Sequence, residues 1–266
     1  MPVREPALHE TIKETIIENA RQRLLKMHYE ANAGHLGGNL SCLDAMMLLH
    51  HAIMKEEDLF LLSKGHSAGA LYVTLWSKGL LSDKDLDSFA KDGSVLPGHP
   101  SGKGIPELLF STGSLGHGPS LAAGLALANR HRRTDRRVYC MCSDGEWQEG
   151  SCWEALIFAV HNRLDNLTVL IDLNGLQAFG TTETVASMSD LGSKIAAFGA
   201  SVSTVDGHDL DAMYNAMRFP APQKPSFVLL RTAKGKGAYF ENRIESHYLP
   251  LTEEQYKAAC SGEVML

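Results

Sequence analysis

The tightest constraint on what this chain can fold into is an alternation of two kinds of segment. Four short runs, VYCMC (138–142), LTVLIDL (167–173), SVSTV (201–205) and FVLLRT (227–232), have strand composition. Around them lie stretches with helical spacing: Pro119–His131, Glu149–Asn162, Asp190–Phe198 with Gly199 as its terminating glycine, and Leu210–Arg218. Strands without regular polar alternation are buried on both faces. The pattern therefore predicts an α/β fold with a mainly parallel sheet and helices on both faces. In such sheets ligands bind at the carboxyl ends of the strands.

The first hundred residues read as helical. Ile12, Ile16, Ala20, Leu24 and Met27 predict an amphipathic helix over His9–Tyr29. Ser41 with Asp44 resembles a capping box opening a helix through about Ile53. Further helices are expected over Ser67–Lys78, ending at Gly79, and from Ser82, with Asp85 three residues on. No repeat, low-complexity tract or linker interrupts the chain, so residues 1–266 are expected to form a single domain. A 44% hydrophobic composition over 266 residues can bury a sizeable core.

Net charge is −6 with no basic stripe, which argues against nucleic acid or an anionic membrane as the main partner. No apolar run is long enough to span a bilayer, and the N-terminus lacks a signal-like apolar region. Five cysteines without a CxxC pair fit a reducing cytoplasm better than a disulfide scaffold.

Two strand ends carry candidate chemistry. VYCMC runs into Ser143-Asp144-Gly145-Glu146-Trp147-Gln148-Glu149-Gly150, and LTVLIDL into Asn174-Gly175-Leu176. Asp-Gly and Asn-Gly taken singly are ordinary turn residues. At successive strand ends, Asp144, the Asn174 side chain and the Leu176 carbonyl form an oxygen set suited to a divalent cation beside a phosphate. The helix start after Gly145 suits the phosphate itself. Among the twelve histidines, His35, His66 and His99 each follow a glycine, which lets the backbone approach a ligand closely. A lone loop histidine is more often a surface group than a ligand; three such pairs in the first hundred residues point to a binding site.

These segments resemble transketolases. SDGEWQEGSCWEAL and DLNGLQAFG resemble that family's GDGELQEGSVWEAL and DNNGLQIDG, with Ser143 and Leu173 replacing a glycine and an asparagine. ANAGHLGG resembles SGHPGG, LSKGHSAGALY resembles SKGHASPALY, LPGHPSG resembles PGHPE, and STGSLGHG resembles TTGPLGQG with His117 in place of glutamine. Lys234-Gly235-Lys236-Gly237 followed by His247 resembles the family's GKG…H segment. The resemblance covers roughly residues 10 to 250 in order.

It implies a thiamine-diphosphate-binding fold and transfer of a two-carbon ketol unit from a ketose phosphate to an aldose acceptor. By the same resemblance Asp144, Asn174 and the Leu176 carbonyl bind Mg²⁺ (or Ca²⁺ or Mn²⁺). His66, Gly113, Ser114, Leu115, Gly145, Glu149, Asn174 and His247 bind the cofactor. His35, His66, His99 and His247 are catalytic, donating hydrogen bonds and moving protons in the ordinary imidazole range. Glu149 matches a glutamate linking the two cofactor sites of the family's dimer. Full-length transketolases carry a second, pyrimidine-binding domain that this chain has no room for. The resemblance therefore implies a split enzyme with a separate C-terminal subunit, assembled as α₂β₂, with exposed apolar surface where the halves meet. Pentose-phosphate metabolism and a catabolic route for an unusual sugar both fit.

Rival readings are weaker. A dinucleotide-binding G-x-G-x-x-G and a P-loop are both missing from the sequence. Deoxyxylulose-phosphate synthase and a split 2-oxoacid dehydrogenase are alternatives within the thiamine family, but the KGH, PGHP and TG-x-LG-x-G loops favour transketolase over both. A non-catalytic relic that binds only a partner is the alternative suggested by Ser143 and Leu173.

Overall fold

The computed structural model describes residues 14–262 of the chain. In chain order its elements begin with α1 (Glu14–Glu30), α2 (Leu36–Leu48), β1 (Leu59–Leu62), α3 (Ala68–Ser77), α4 (Asp83–Leu86) and α5 (Gly118–His131). Then come β2 (Val138–Ser143), α6 (Gly150–His161), β3 (Leu167–Leu173), β4 (Leu176–Gln177), β5 (Gly180–Thr181) and α7 (Thr182–Ala186). The last are α8 (Leu191–Ala197), β6 (Ser201–Asp206), α9 (Leu210–Arg218), β7 (Ser226–Arg231) and α10 (Glu253–Ser261).

Five strands form one all-parallel sheet in the order β1-β2-β3-β7-β6, and β4 and β5 make a small antiparallel hairpin. Alternate residues of each central strand serve different cores. Tyr139, Met141, Leu170, Val228 and Leu230 pack with α1, α2, α3 and α9 on one face. Val138, Cys140, Cys142, Val169, Ile171 and Leu229 pack with α5, α6 and α8 on the other. Both faces of β2, β3 and β7 are thus buried, as expected for runs without regular polar alternation, whereas β6 lies at the sheet edge with none of its residues fully buried.

Two expectations need correction. The sheet has a fifth strand: Leu59–Leu62 pairs in parallel with Val138–Met141. Four residues at a sheet edge give too little periodicity to be seen in sequence. The Ser41–Asp44 capping box does not exist, because the residue capping α2 is His35, six positions before Ser41. Ser41 lies inside the helix, where its hydroxyl donates to the Gly38 carbonyl (3.0 Å) and the Asp172 carboxylate (2.6 Å). The Ser82–Asp85 box is formed, opening a helix of only four residues. The helix expected from His9 is present from Glu14; its first residues lie outside the described ones. No helix among the described residues is long and apolar enough to cross a membrane.

His50 is buried against Phe60 of β1, with Nε2 unpartnered. Burial, helped by the nearby Lys78 ammonium, lowers its pKa to about 3. The unfolded chain takes up this proton near 6.5 and the folded chain does not, so stability falls as pH drops below 6.5. His50→Leu should remove that contribution. Urea denaturation should show its acid-side loss at pH 5 smaller than wild type's by about 2 kcal/mol, with little change at pH 7.5.

Candidate functional site

The carboxyl ends of β1, β2, β3 and β7 converge on a buried ion pair. Lys64, just past β1, and Asp172, near the end of β3, are both fully buried and directly hydrogen-bonded. Lys64 Nζ also donates to the Gly38 carbonyl at 2.9 Å. Asp172 further accepts from Ser41 Oγ, Thr232 Oγ1 and Asn174 Nδ2. Burial alone would raise its pKa; the Lys64 charge and these donors overcome that and hold it below the usual carboxylate value. Neither residue was assigned a role from sequence. The signal for Asp172 was available, because an acid inside the apolar run LTVLIDL needs a partner.

One strand away, Asp144 is also buried. Its Oδ1 accepts from the Gly145 N–H (2.7 Å) and its Oδ2 from the Gly175 N–H (2.6 Å), which joins the two predicted loops. Desolvation, then the Asp172 charge, raises its pKa to about 6. Asn174 Oδ1 accepts from the Leu176 N–H at 3.1 Å. The Leu176 carbonyl accepts from Lys234 Nζ at 2.9 Å. The three predicted metal-ligating residues are therefore together, with an ammonium on one of their oxygens. Gln177 Oε1 is buried without a partner, and a Cβ on Gly145 would lie 2.7 Å from it. A buried carboxylate of raised pKa, an amide, a carbonyl and an orphaned amide oxygen fit the all-oxygen preference of Mg²⁺ or Ca²⁺.

The four predicted histidines form one cluster. The His35 ring centroid lies 5.7, 5.8 and 5.0 Å from those of His66, His99 and His247, and His66 lies 5.6 Å from His247. His35 precedes α2 with a left-handed backbone (φ 62°), a conformation costly for a side chain of this size. It is pinned by its N–H to the His247 carbonyl (3.0 Å) and by Asn39 Nδ2, which bonds the carbonyls of both His35 (2.8 Å) and His66 (3.1 Å). His247 Nδ1 faces Lys234 Nζ at 2.9 Å.

All four imidazoles are shifted down. Burial comes first in each case, and neighbouring histidines or Lys234 and Lys64 add to it for His35, His66 and His247, which reaches about 3. The ordinary titration range expected from sequence is therefore not kept. The rings are neutral at pH 7, each with one donor and one acceptor nitrogen.

The loop 111–118 closes one side. A Cβ on Gly65 would meet the Gly113 nitrogen at 2.8 Å, and one on Gly113 (φ 138°) would meet His99 at 2.9 Å, so only glycine allows these approaches. Buried Glu146 holds the loop, accepting from the Gly116 N–H (2.7 Å), the Ser143 N–H (3.3 Å) and Ser63 Oγ. Sequence reasoning missed this. Ser114 is exposed and Leu115 half-buried beside it. The His117 ring turns back on its own loop, with Nδ1 3.2 Å from the Ser114 and Leu115 carbonyls. Glu149 is exposed at the start of α6.

A family model described as "Transketolase, thiamine diphosphate binding domain" matches residues 12–261. The chain belongs to this family. It is 38% identical to an apulose-4-phosphate transketolase subunit of Phocaeicola vulgatus, over 91% of this chain and 90% of that one. It is 40% identical to the 6-deoxy-6-sulfo-D-fructose transketolase subunit SqwG of a Clostridium species, over 85% and 86%. The transketolase structure from Leishmania mexicana superimposes with a TM-score of 0.87 at 27% identity. There the match covers 94% of this chain but 41% of that one, so the chain spans about two fifths of the solved transketolase. In this transketolase-family chain the departures Ser143 and Leu173 leave the donor set in place. Ser143 contributes only its backbone N–H to Glu146, and Leu173 its carbonyl to the Thr232 N–H (3.4 Å).

Stranding Asp172 without its cation should be costly. Lys64→Met is expected to destabilise the chain by about 3–5 kcal/mol in urea denaturation, and adding Asp172→Asn should restore most of the loss. A double variant as unstable as the single one would show that Lys64 acts through packing instead.

Proposed function

We propose that the chain is the thiamine-diphosphate- and metal-binding subunit of a split transketolase. It would move a two-carbon ketol unit from a ketose phosphate to an aldose acceptor together with a separate pyrimidine-binding subunit, as an α₂β₂ assembly in the cytoplasm. The observation that carries this reading is the joining of four clustered imidazoles to an oxygen-lined strand-end site. It occurs in a chain of nearly the same length as relatives named transketolase subunits.

In this reading residues 1–266 are one domain. Asp144, Asn174 and the Leu176 carbonyl hold Mg²⁺ or a similar divalent cation, and Gly145, His66 and His247 face the cofactor diphosphate. Gly113, Ser114 and Leu115 line the ring end of the cofactor, and Glu149 faces a second copy. When bound, thiamine diphosphate supplies the electron sink that lets a carbon–carbon bond beside a carbonyl break.

The chain's own residues bind and orient. His35 Nδ1 is buried without a partner, and Lys234 occupies Nδ1 of His247, which leaves Nε2–H as that ring's donor. Neutral imidazoles donate hydrogen bonds to substrate hydroxyls and the carbonyl oxygen without adding charge to a site that already holds two ammonium groups. Intact Asp144, Asn174 and the four histidines disfavour a non-catalytic relic.

The test is calorimetric titration of thiamine diphosphate with Mg²⁺ into the chain, alone and with its candidate partner. Asp144→Ala and Asn174→Ala should each weaken metal-dependent binding at least about tenfold, and the partner should tighten it in wild type. Binding indifferent to both substitutions would sink the reading. With the partner present, turnover of pyruvate rather than a ketose phosphate would favour deoxyxylulose-phosphate synthase chemistry.

A further inference from the structure

We propose that Asp44 and His208 form a positioning pair that sets the backbone carrying Lys234, so that its ammonium reaches the strand-end site. Three separate segments meet at the His208 ring. Asp44 comes from α2, His208 from the turn between β6 and α9, and the ring's other nitrogen meets the segment 232–236 that follows β7. His208 Nδ1 lies 2.8 Å from Asp44 Oδ2, and the Ala233 N–H donates to His208 Nε2 at 3.0 Å. A ring that accepts at Nε2 carries its proton on Nδ1, and Asp44 Oδ2 accepts the hydrogen bond from that N–H. The carboxylate thus fixes the tautomer that allows the ring to accept from the backbone.

Asp44 is buried, and Arg21 (3.4 Å) and Lys236 (3.5 Å) also face it. Burial would raise its pKa, but the His208 hydrogen bond and then the Arg21 and Lys236 charges hold it below the usual value. The acceptor role therefore persists at neutral pH.

Other backbone groups of the segment end on backbone or on Arg21, while the Thr232 hydroxyl bonds Asp172 and the Lys236 ammonium faces Asp44. The Gly235 N–H donates to the Gly37 carbonyl (2.9 Å), the Lys234 carbonyl accepts from the Asn242 N–H (2.8 Å), and the Lys236 carbonyl accepts from Arg21 Nη1 (2.9 Å). Directly before Lys234, the Ala233 N–H ends on a side chain instead. Lys234 lies on a flexible stem yet is only 2% exposed, with Nζ 2.9 Å from both the Leu176 carbonyl and His247 Nδ1. A long side chain holds two such contacts in a buried place only if its backbone is fixed. His208 and Asp44 touch no residue assigned above to cofactor or metal; they act through Ala233.

The experiment uses the purified full-length chain without cofactor, so it does not depend on the proposed function. Amide hydrogen exchange is mapped by mass spectrometry, and Lys234 acylation by an amine-reactive ester is timed in wild type, His208→Ala, His208→Gln and Asp44→Ala. His208→Ala should speed exchange across 232–237 and acylation of Lys234 about tenfold each, with β2 and β3 unchanged. His208→Gln, whose amide oxygen can accept from Ala233, should recover much of the protection, and Asp44→Ala should show a smaller effect of the same kind. Unchanged Lys234 acylation in folded His208→Ala would overturn the proposal. So would uniform loss of protection over the whole sheet that His208→Gln does not rescue. A positive result with no thiamine diphosphate binding to wild type, even with its partner, would uphold the pair and overturn the function proposed above.

Discussion

The strand-end site rests on a carboxylate that has no apolar alternative. Asp172 interrupts a strand otherwise built for a double-sided core, and without partners its burial would cost several kcal/mol. Lys64 from beyond the edge strand β1, Ser41 from inside α2, Asn174 from the following loop and Thr232 from beyond β7 all turn towards it. Those contacts fix where α2 stands over the sheet and where the loops after β1, β3 and β7 leave it. Glu146 does the same for β1, β2 and the 111–118 loop on the other side. Two buried acids, each satisfied by several segments, thus set the relative positions of nearly every loop around the site.

The electrostatic balance follows from that arrangement. Asp144 and Asp172 are opposed by Lys64 and Lys234, and Lys234 is itself pushed down to about 8 by burial and by Lys64. A cation entering beside Asp144 would relieve its raised pKa, and an anion beside Lys234 would do the same for the ammonium. On the proposed reading, a metal and a diphosphate would each find a group of opposite charge here. The histidines above remain neutral chiefly because burial opposes a positive charge; Lys234 adds to this for His35, and both ammonium groups add to it for His66 and His247.

The sheet and most of the site could be read in sequence because their signals are local. VYCMC, LTVLIDL and FVLLRT are apolar on both faces, and the Gly-His pairs mark places where backbone and ligand must approach closely. What escaped notice depends on distant partners. Leu59–Leu62 becomes a strand only by pairing with residues 138–141, some eighty positions on. Ser41 looks like a cap until Asp172, 131 residues away, claims its hydroxyl. The downward shift of the imidazoles could not be inferred from composition, since it comes from burial and, for all but His99, from neighbouring charges including Lys64 and Lys234, which follow different strands. The resemblance to a family supplied roles for residues, whereas the folded chain supplied the charges that determine how those roles can be performed.

On the proposed reading the pyrimidine-binding half is a separate chain, so the site keeps its shape through contacts made within this one. The ties to Asp172, Glu146, Asn39 and His208 all come from within this chain. Apolar groups remain outward: Phe179 at the tip of the β4–β5 hairpin is 85% exposed, and Tyr248 and Leu249, directly after His247, are about half exposed. The hairpin begins at Leu176, whose carbonyl meets Lys234, so this exposed surface starts where the site ends. On the proposed reading, internal charge pairing preserves the site while the exposed apolar groups are left for the second subunit to cover.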